Sequence, residues 1–234
     1  MNNFWEKQIE AGYYDKLLSD GIESGNGIQA NWHYITLINA QKFLHKGLLH
    51  LDYACGPGTL IGKFSYAESI GVDIAKAQID YAKNKYGNNG LFITKENFNF
   101  DDYRNYFDVV TILGLIEFLS DYEIEDLLKK VYLSLKKGGK LIITTPNFNS
   151  LIYPIVEKFQ IVNWSGQHKN KFNKIKVRKL LKNSLFEKYK IKKILNFGIF
   201  FSFINLRFGL NIDKFFEKIF FNLYGFVIFI ELEK

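Results

Sequence analysis

A glycine loop that follows an acid is the part of this sequence best suited to chemistry. A short apolar run, residues 48–51, leads to Asp52, and Gly56 and Gly58 follow in a loop of small residues. Glycine lets the backbone turn sharply and leaves no Cβ between the loop and a ligand. From Thr59 onwards the sequence is typical of a helix, whose free N–H groups and positive dipole end would face that ligand. The stretch therefore predicts a strand, a loop and a helix around a nucleotide-sized ligand.

The spacing of the glycines argues against two common nucleotide sites. A dinucleotide-binding loop has a third glycine three residues after the second, where helix and strand pack closely. That position is Ile61 in this chain. A phosphate loop would carry Gly-Lys-Ser/Thr after the glycines, and that sequence is absent here. The pattern therefore disfavours NAD, FAD and nucleoside triphosphates as the ligand.

The elements around the loop alternate between strand and helix. Short apolar runs predict strands, and apolar residues at helical spacing predict the helices between them. Ser120 and Glu123 have the spacing of a capping box, which predicts the start of a helix there. Residues 136–139 would end that helix. Such alternation implies a parallel sheet with helices on both faces. The predicted strands are 48–53, 69–73, 91–94, 106–113, 141–145, 190–195 and 226–231, and the predicted helices are 28–45, 59–65, 75–85, 120–135, 149–162, 177–181 and 212–223.

Composition limits the class of protein. The chain has 234 residues, 47% of them hydrophobic and 24% charged, as expected for one globular domain with a full core. The single cysteine excludes an internal disulfide and a cysteine-rich zinc site, and no metal site is predicted. The N-terminus does not have the pattern of a signal peptide, and the longest apolar stretch, residues 194–206, is too short and too polar to span a membrane. We therefore expect a cytoplasmic protein.

Positive charge is concentrated in one segment. The chain carries +7 overall, but residues 168–193 hold eleven Lys or Arg and one acid, so the rest of the chain sums to −3. One interpretation is a solvated helix face beside an edge strand whose lysines prevent pairing with strands of other molecules. The other is a surface for a phosphorylated or membrane-associated substrate, or for nucleic acid.

Four motifs in order resemble the class I S-adenosylmethionine-dependent methyltransferases. They are LDYACGPGT at 51–59, GVDI at 71–74, FDVV at 107–110 with LIEFL at 115–119, and LKKGGKLIITTPN at 135–147. The resemblance covers roughly residues 29–195. It implies a Rossmann-like α/β fold: a seven-stranded, mostly parallel sheet with helices on both faces and the last strand antiparallel. We expect one domain, 1–234, with a helical cover (1–46), a cofactor-binding core (47–147) and substrate-lid segments with the final strands (148–234).

The resemblance also implies roles in holding S-adenosylmethionine, whose product is S-adenosylhomocysteine. Asp52 would reach the methionine ammonium, directly or through water. Asp73 would accept both ribose hydroxyls, the alternative being a helix N-cap. The other implied cofactor residues are the loop residues Ala54, Cys55, Gly56 and Gly58, Ile74 against adenine, Asn97 (or Glu96) at the adenine amino group, and Gly114 and Leu115 beneath the methionine end.

Three positions depart from the family pattern. Ala54 replaces the usual first glycine, and its methyl group is small enough that we expect binding to survive. Phe118 stands where many members have histidine, which removes a polar group near the reaction centre. Leu185 stands where a glycine usually precedes the phenylalanine that leads the next strand, and we expect it to matter only to packing.

Methyl transfer from a sulfonium is an in-line displacement, in which alignment can supply on the order of 7–11 kcal/mol at best. A hydroxyl acceptor benefits further from a base of suitable pKa. The candidate bases are His168, in a polar loop with Trp164 and Gly166, and His33, in the covering helix, although either histidine could be only structural. Glu117 could orient the substrate or cap a helix.

The acceptor is less defined than the cofactor. Residues 148–170 and 196–224 would either form an acceptor lid or simply complete the core. The TTPN ending of residues 144–147 and the apolar helix after it resemble the ubiquinone-biosynthesis and sugar-modifying O-methyltransferases, which implies a small acceptor, phosphorylated or lipid-linked, with a peripheral membrane contact as one option. RNA or DNA methylation is disfavoured, because the fourth strand lacks the Asn/Asp-Pro-Pro-aromatic sequence of base-methylating relatives. A non-catalytic binding protein is the third hypothesis, and no oligomeric state is predicted.

Overall fold

The computed structural model describes most of the chain. The described residues are Phe4, Glu6, 9–151, 153–158, 167–194, 197–220 and 225–234. Their helices are α1 (Tyr13–Ser24), α2 (Ile28–Gln41), α3 (Thr59–Lys63), α4 (Lys76–Tyr86), α5 (Asp121–Ser134), α6 (Tyr153–Lys158), α7 (Lys174–Lys182) and α8 (Leu206–Phe220). Their strands are β1 (Leu49–Tyr53), β2 (Glu68–Asp73), β3 (Gly90–Thr94), β4 (Phe107–Leu113), β5 (Leu135–Pro146), β6 (Lys188–Ile194) and β7 (Val227–Glu233).

The seven strands form one sheet in the order β3-β2-β1-β4-β5-β7-β6. Strands β1 to β5 run parallel, and β7 is antiparallel to both β5 and β6. The predicted fold, Rossmann-like and mostly parallel with an antiparallel last strand, is confirmed. The chain leaves β1 for β2 on one side and reaches β4 on the other, so a crevice opens at the carboxyl ends of these strands, where ligands bind in such sheets.

Helices cover both faces of the sheet, as predicted. On one face, Ile124 and Val131 of α5 and Val177 of α7 pack against the apolar side chains of the central strands. On the other, Ile35 of α2 and Leu206 of α8 belong to a second buried cluster. The helices complete a core on each side and leave the carboxyl edge of the strands for the site.

The capping box that the sequence predicts at α5 is present. Ser120 Oγ accepts a hydrogen bond from the backbone N–H of Glu123, and the Glu123 carboxylate accepts one from the backbone N–H of Ser120 at 2.8 Å. Both bonds satisfy N–H groups that have no partner within the helix, which fixes the start of α5 just after β4.

Residues 136–139 do not close α5, and that prediction is wrong. The helix ends at Ser134, and the chain is extended throughout Leu135–Pro146, with a register shift where β5 meets β4. The C-terminal residue explains the difference. Gly138 donates its N–H to the carbonyl of Lys234 at 2.8 Å, and Lys234 donates to Gly139 at 3.0 Å. This pairing draws the glycines into the sheet, with Gly138 at φ +77°.

Two helices of the second half have bounds that differ from the predicted ones. The helix predicted at 149–162 is described only as Tyr153–Lys158, and Trp164, Gly166 and residues 221–223 lie outside the described residues. Helix α8 starts at Leu206 rather than Ile212. Asn205 accepts the N–H of Phe208 through its side-chain oxygen at 3.0 Å and so starts the helix earlier.

Within the described part of the chain, no helix combines the length and the apolar character needed to cross a membrane.

Candidate active site

A cavity of about 610 Å³ opens at the carboxyl ends of β1, β2 and β4. The glycine loop and Asp73 form one side, and α1 and α2 cover it with Tyr14, Trp32 and His33. Its size suits a nucleoside-sized ligand together with a small second molecule. The strand ends and the two N-terminal helices therefore enclose one site.

The glycine loop is anchored to β2 by its backbone. The N–H groups of Ala54 and Cys55 both donate to the carbonyl of Val72, at 2.7 and 3.0 Å. Ala54 adopts φ +69°, a left-handed conformation that costs a non-glycine residue roughly 1–2 kcal/mol. Its residue type departs from the family pattern, while its backbone has the conformation that glycine prefers.

Ile61 takes the place of a third glycine, and small residues on the strands compensate. Its side chain is buried and lies beside Gly71 of β2 and Gly90 of β3. A Cβ on Gly71 would stand 3.0 Å from Ile61 Cδ1, and one on Gly90 would stand 2.8 Å from Cγ2. The close packing of helix and sheet is therefore achieved with the large side chain on the helix and glycine on the strands.

Asp73 ends β2 at the cavity and holds the loop. Its carboxylate accepts hydrogen bonds from the backbone N–H groups of Gly56 at 2.9 Å and Ala75 at 2.8 Å. Burial raises its pKa, against the effect of these two bonds. The N-cap residue of α4 is Ala75, so the alternative prediction, that Asp73 is a helix N-cap, is wrong.

A buried polar chain lies beneath Asp52. Thr111 donates its hydroxyl proton to Asp52 Oδ1 at 2.7 Å, so its oxygen must accept the bond of 2.8 Å from His50 Nε2. His50 Nδ1 lies 3.0 Å from the hydroxyl of Ser69. Burial lowers the pKa of His50 to about 3, which keeps its ring neutral. The chain fixes the carboxyl of Asp52 and leaves it without a cationic partner among the described residues.

Glu117 is a second buried carboxyl of the cavity. Its Oε2 accepts a bond from the hydroxyl of Thr145 at 3.0 Å, and burial raises its pKa to about 7. A Cβ on Gly114 would stand 3.7 Å from Glu117 Oε1. The carboxyl therefore lies over Gly114, at the end of β4. It caps none of the described helices, and contact with a substrate stays a prediction.

The two candidate histidines both line the cavity. His33 stacks on Trp32 with ring centroids 5.6 Å apart, and burial lowers its pKa to about 4. His168 stacks on Phe118 at 5.0 Å and meets Phe148 edge-on at 5.2 Å. An imidazole from a later segment thus lies against Phe118, which stands where the resemblance implies a histidine in many members of the family. The catalytic roles of both histidines stay predictions.

The other predicted cofactor residues divide between the cavity wall and its surroundings. Gly58 does not line the cavity. Asn97 and Glu96 are exposed and also lie outside the cavity wall, and Asn97 donates to Thr94 Oγ1 at 2.8 Å. The next residues, Phe98 and Asn99, line the cavity instead. The predicted residues in the wall are Asp52, Ala54, Cys55, Gly56, Asp73, Ile74, Gly114 and Leu115.

The segments predicted to form an acceptor lid contribute little to the cavity wall. Of the described residues in segments 148–170 and 196–224, only His168 lines the cavity. Residues 197–220 pack on α2 instead, with Ile199 and Leu206 buried there. For this second segment the alternative prediction, completion of the core, fits the structure.

Sequence reasoning missed Asp15, which anchors the cover. It is fully buried and accepts bonds from Thr59 Oγ1 at 3.1 Å, from the hydroxyls of Tyr81 and Tyr86 at 2.8 Å each, and from Lys85 Nζ at 2.7 Å. Burial alone would raise its pKa, but these bonds, led by that of Lys85, lower it to about 2. An acid in a polar, aromatic segment carries no spacing signal that would reveal such a role.

Comparison with known proteins agrees with this geometry. The sequence matches the family model of a methyltransferase domain over residues 51–139, which include the loop, Asp73 and Glu117. Residues 51–139 therefore carry a methyltransferase domain of class I. Its cofactor is S-adenosylmethionine. A search of curated proteins finds no match to the sequence.

Solved methyltransferase structures share the fold. An S-adenosylmethionine-dependent methyltransferase of Archaeoglobus fulgidus is 21% identical, with a TM-score of 0.62 over 87% of this chain and 93% of that chain. A Thermotoga maritima enzyme, named as a possible histamine N-methyltransferase, is 17% identical, with a TM-score of 0.66 over 99% and 97%. Phosphoethanolamine N-methyltransferase 2 of Haemonchus contortus, in complex with S-adenosylmethionine, is 17% identical, with a TM-score of 0.64 over 100% of this chain and 59% of that chain.

The cavity of the methyltransferase domain fits this cofactor in shape and charge. Gly56 faces the cavity, and a Cβ built there meets nothing within 4 Å, so the space is open to a ligand. Asp52 is buried and Asp73 is half-buried. Desolvation raises the pKa of both carboxyls, that of Asp52 to about 7 with a smaller contribution from the nearby Asp73. A ligand with an ammonium and a sulfonium would offset that cost, because opposite charge favours the ionised carboxylates.

The two loop glycines should respond differently to alanine. Gly58→Ala would place a Cβ 2.6 Å from Phe92 Cε1 at φ +75°, so we expect a loss of about 2 kcal/mol or more in the free energy of unfolding. Gly56→Ala clashes with no residue, and we expect a cost of only about 1 kcal/mol but a loss of S-adenosylmethionine affinity of at least about tenfold. Denaturant unfolding and calorimetric titration measure the two effects, and equal behaviour of the two variants would contradict this assignment.

Cofactor affinity should depend on pH through Asp52. Its pKa is raised to about 7 in the free protein, so the stability it contributes is present below about pH 4 and is lost as pH rises through 7. An ammonium ligand needs the ionised form, and we therefore expect affinity to fall by up to about tenfold per pH unit below 7. Titration from pH 7.5 downwards measures the slope. Asp52→Asn should remove it and Asp80→Asn, an exposed acid of α4, should keep it; an unchanged slope in Asp52→Asn would refute the assignment.

Proposed function

We propose that this protein transfers the methyl group of S-adenosylmethionine to a hydroxyl of a small acceptor, such as a sugar, a polysaccharide precursor or a quinone- or lipid-like compound. The observation that carries the proposal is the position of Glu117. Its buried carboxyl, with a pKa of about 7, shares one cavity with Asp52 and Asp73. A general base works best when its pKa lies near the operating pH.

On the cofactor side, each end of the ligand has a suitable group. Asp73 would accept both ribose hydroxyls while its bonds to the loop hold it in place. Asp52, oriented by Thr111, would bind the methionine ammonium, directly or through water. Ile74 and Phe98, both in the cavity wall, would lie beside adenine, because Asn97 is outside that wall.

On the acceptor side, Glu117 is oriented for proton transfer. Bound S-adenosylmethionine supplies an electrophilic methyl group. Thr145 holds Glu117 Oε2, which leaves Oε1, above Gly114, to accept the proton of the acceptor hydroxyl. Burial raises the pKa of Tyr14, and Tyr13, Glu117 and Asp73 lie close enough to raise it further. Tyr14 and His33 would exclude water from the space between cofactor and acceptor.

The charge around the cavity supports a small acceptor over a nucleic acid. None of the Lys and Arg side chains that the structure describes in segment 168–193 lines the cavity, where the acids Asp52, Asp73 and Glu117 lie. The lysines in its wall are Lys95 and Lys130. Phosphates would be repelled at this site, since like charges in a buried cleft are costly. The basic segment contains helix α7 and strand β6, and β6 lies at the edge of the sheet. Its positive charge therefore supports the other interpretation, a solvated helix face beside an edge strand whose lysines prevent pairing with other strands.

An amine acceptor is the second candidate. The buried carboxylate of Glu117 could form an ion pair with the ammonium of such an acceptor. Trp32 and Phe118, which also line the cavity, offer aromatic faces to a cation. Two of the similar structures are named for amine substrates, histamine and phosphoethanolamine.

Screening acceptors with methyl-labelled S-adenosylmethionine tests the proposal. Purified protein would be incubated with sugars, nucleotide sugars, phenolic compounds and amines, and labelled products identified by mass spectrometry. We expect label on an oxygen of a small molecule. Label only on nitrogen would establish the second candidate, and label only on RNA or DNA, with binding that weakens steeply with salt, would overturn both.

A further inference from the structure

Helix α8 presents a second face with two exposed phenylalanines, of which Phe208 also meets the ring of Phe201 edge-on. Phe208 is 50% exposed and Phe215 is 59% exposed, and they are seven residues apart, so both lie on one face two turns apart. Arg207 and Lys214 are exposed with the same spacing beside them. The exposed face of this helix thus repeats a pair of one cation and one phenylalanine.

The opposite face of α8 is tightly packed, so the exposed rings are not a sign of loose docking. Gly209 and Gly198 bring two backbones together, where a Cβ on Gly198 would stand 1.9 Å from the Gly209 carbonyl. Asp213 accepts the N–H of Gly198 at 2.7 Å, and Leu206 donates its N–H to the carbonyl of Gly25 at 2.6 Å. The helix is therefore fixed to the junction of α1 and α2, the elements that cover the cavity.

Two more large apolar side chains are exposed just before the start of the helix. Phe203 and Ile204, which precede α8, are 74% and 75% exposed. Single exposed apolar side chains are common, but several large ones together mark a contact surface. We call this surface the α8 face, and its residues are Phe203, Ile204, Arg207, Phe208, Lys214 and Phe215.

We propose that the α8 face binds the surface of an anionic lipid bilayer. Helices that lie in the interface pair apolar side chains with Lys or Arg, which bind the lipid phosphates while the rings enter the acyl boundary. Among the described exposed positions of α8 the charges are Arg207 and Lys214, both positive. A second copy of this face would bring like charges together, whereas anionic headgroups complement them. Methyl transfer is not needed for this binding, and the proposal goes beyond it.

Vesicle co-sedimentation of the full chain tests the proposal. Vesicles of phosphatidylcholine with phosphatidylglycerol should retain the protein, and phosphatidylcholine alone should retain it less. We expect Phe208→Ser with Phe215→Ser to weaken retention at least about tenfold. Arg207→Gln with Lys214→Gln should weaken it by about 10–30-fold, at about 1 kcal/mol for each cation.

The matched control is the pair Lys179→Gln with Lys182→Gln on α7, which removes the same charge from the basic segment and should keep retention. Unchanged melting temperatures show that the variants fold. Three results would overturn the proposal: no retention of the wild-type chain on anionic vesicles, loss with the α7 pair but not with the α8 pairs, or a wild-type dimer that the phenylalanine pair dissociates.

Discussion

Replacing Asp73 by alanine should weaken S-adenosylmethionine binding by about 10²–10⁴-fold. The carboxylate would accept both ribose hydroxyls, and a hydrogen bond to a charged group contributes about 1.5–3 kcal/mol. The substitution also leaves the backbone N–H of Gly56 without its partner, since Asp73 accepts that bond at 2.9 Å. Isothermal titration with S-adenosylmethionine and S-adenosylhomocysteine measures the loss.

Two further variants separate cofactor contact from loop support. Asp73→Asn keeps an oxygen that can hold Gly56, and we expect an intermediate loss of affinity because the charge is gone. Asp80→Ala removes an exposed acid of α4 whose ion pair with Lys76 lies on the helix surface. We expect it to bind as the wild type does. Wild-type affinity in Asp73→Ala would rule out this role.

Replacing Glu117 by glutamine should lower kcat by about 10²–10⁴-fold with a hydroxyl acceptor, because the variant cannot take up the proton. The shape of the residue and its bond to Thr145 can be kept, so cofactor affinity should not change. In the wild type, the rate should fall as pH drops below about 7, where Glu117 becomes protonated. Turnover of the acceptor found by the labelled screen, measured against pH, provides the test.

The division of the effect between kcat and KM identifies the acceptor. With an amine bound as its ammonium, the loss in Glu117→Gln should appear mainly in KM. Glu125→Gln changes an exposed acid of α5 and should leave both constants unaltered. Full activity in Glu117→Gln, with its pH profile intact, would remove Glu117 from the reaction and return His168 and His33 to consideration.

Local patterns predicted the half of the fold that binds the cofactor. The strand, glycine loop and helix around Gly56 are specified by neighbouring residues, and so is the capping box of Ser120 and Glu123. The strict alternation of strand and helix then leaves few topologies, because crossovers between parallel strands are right-handed. These rules predicted a parallel sheet with helices on both faces. The antiparallel last strand and the places of Asp52 and Asp73 at the cofactor were implied by the resemblance to the class I methyltransferases.

Features that depend on distant contacts could not be predicted in this way. The extension of β5 through Gly138 depends on a bond to Lys234, at the other end of the sequence. Asp15 gains its role only when α1 meets α3 and α4. Glu117 was equally suited to capping until burial and the bond from Thr145 placed it in the cavity. In each case the decisive partner lies 28 or more residues away.

Titration of the wild-type chain with S-adenosylmethionine and S-adenosylhomocysteine decides whether the cavity at Asp52 and Asp73 binds the cofactor. We expect both ligands to bind with dissociation constants in the micromolar range or below, one molecule per chain, and Asp73→Ala to abolish the signal. Absence of binding by either ligand at micromolar concentration, with no change on replacing Asp73, would contradict this expectation.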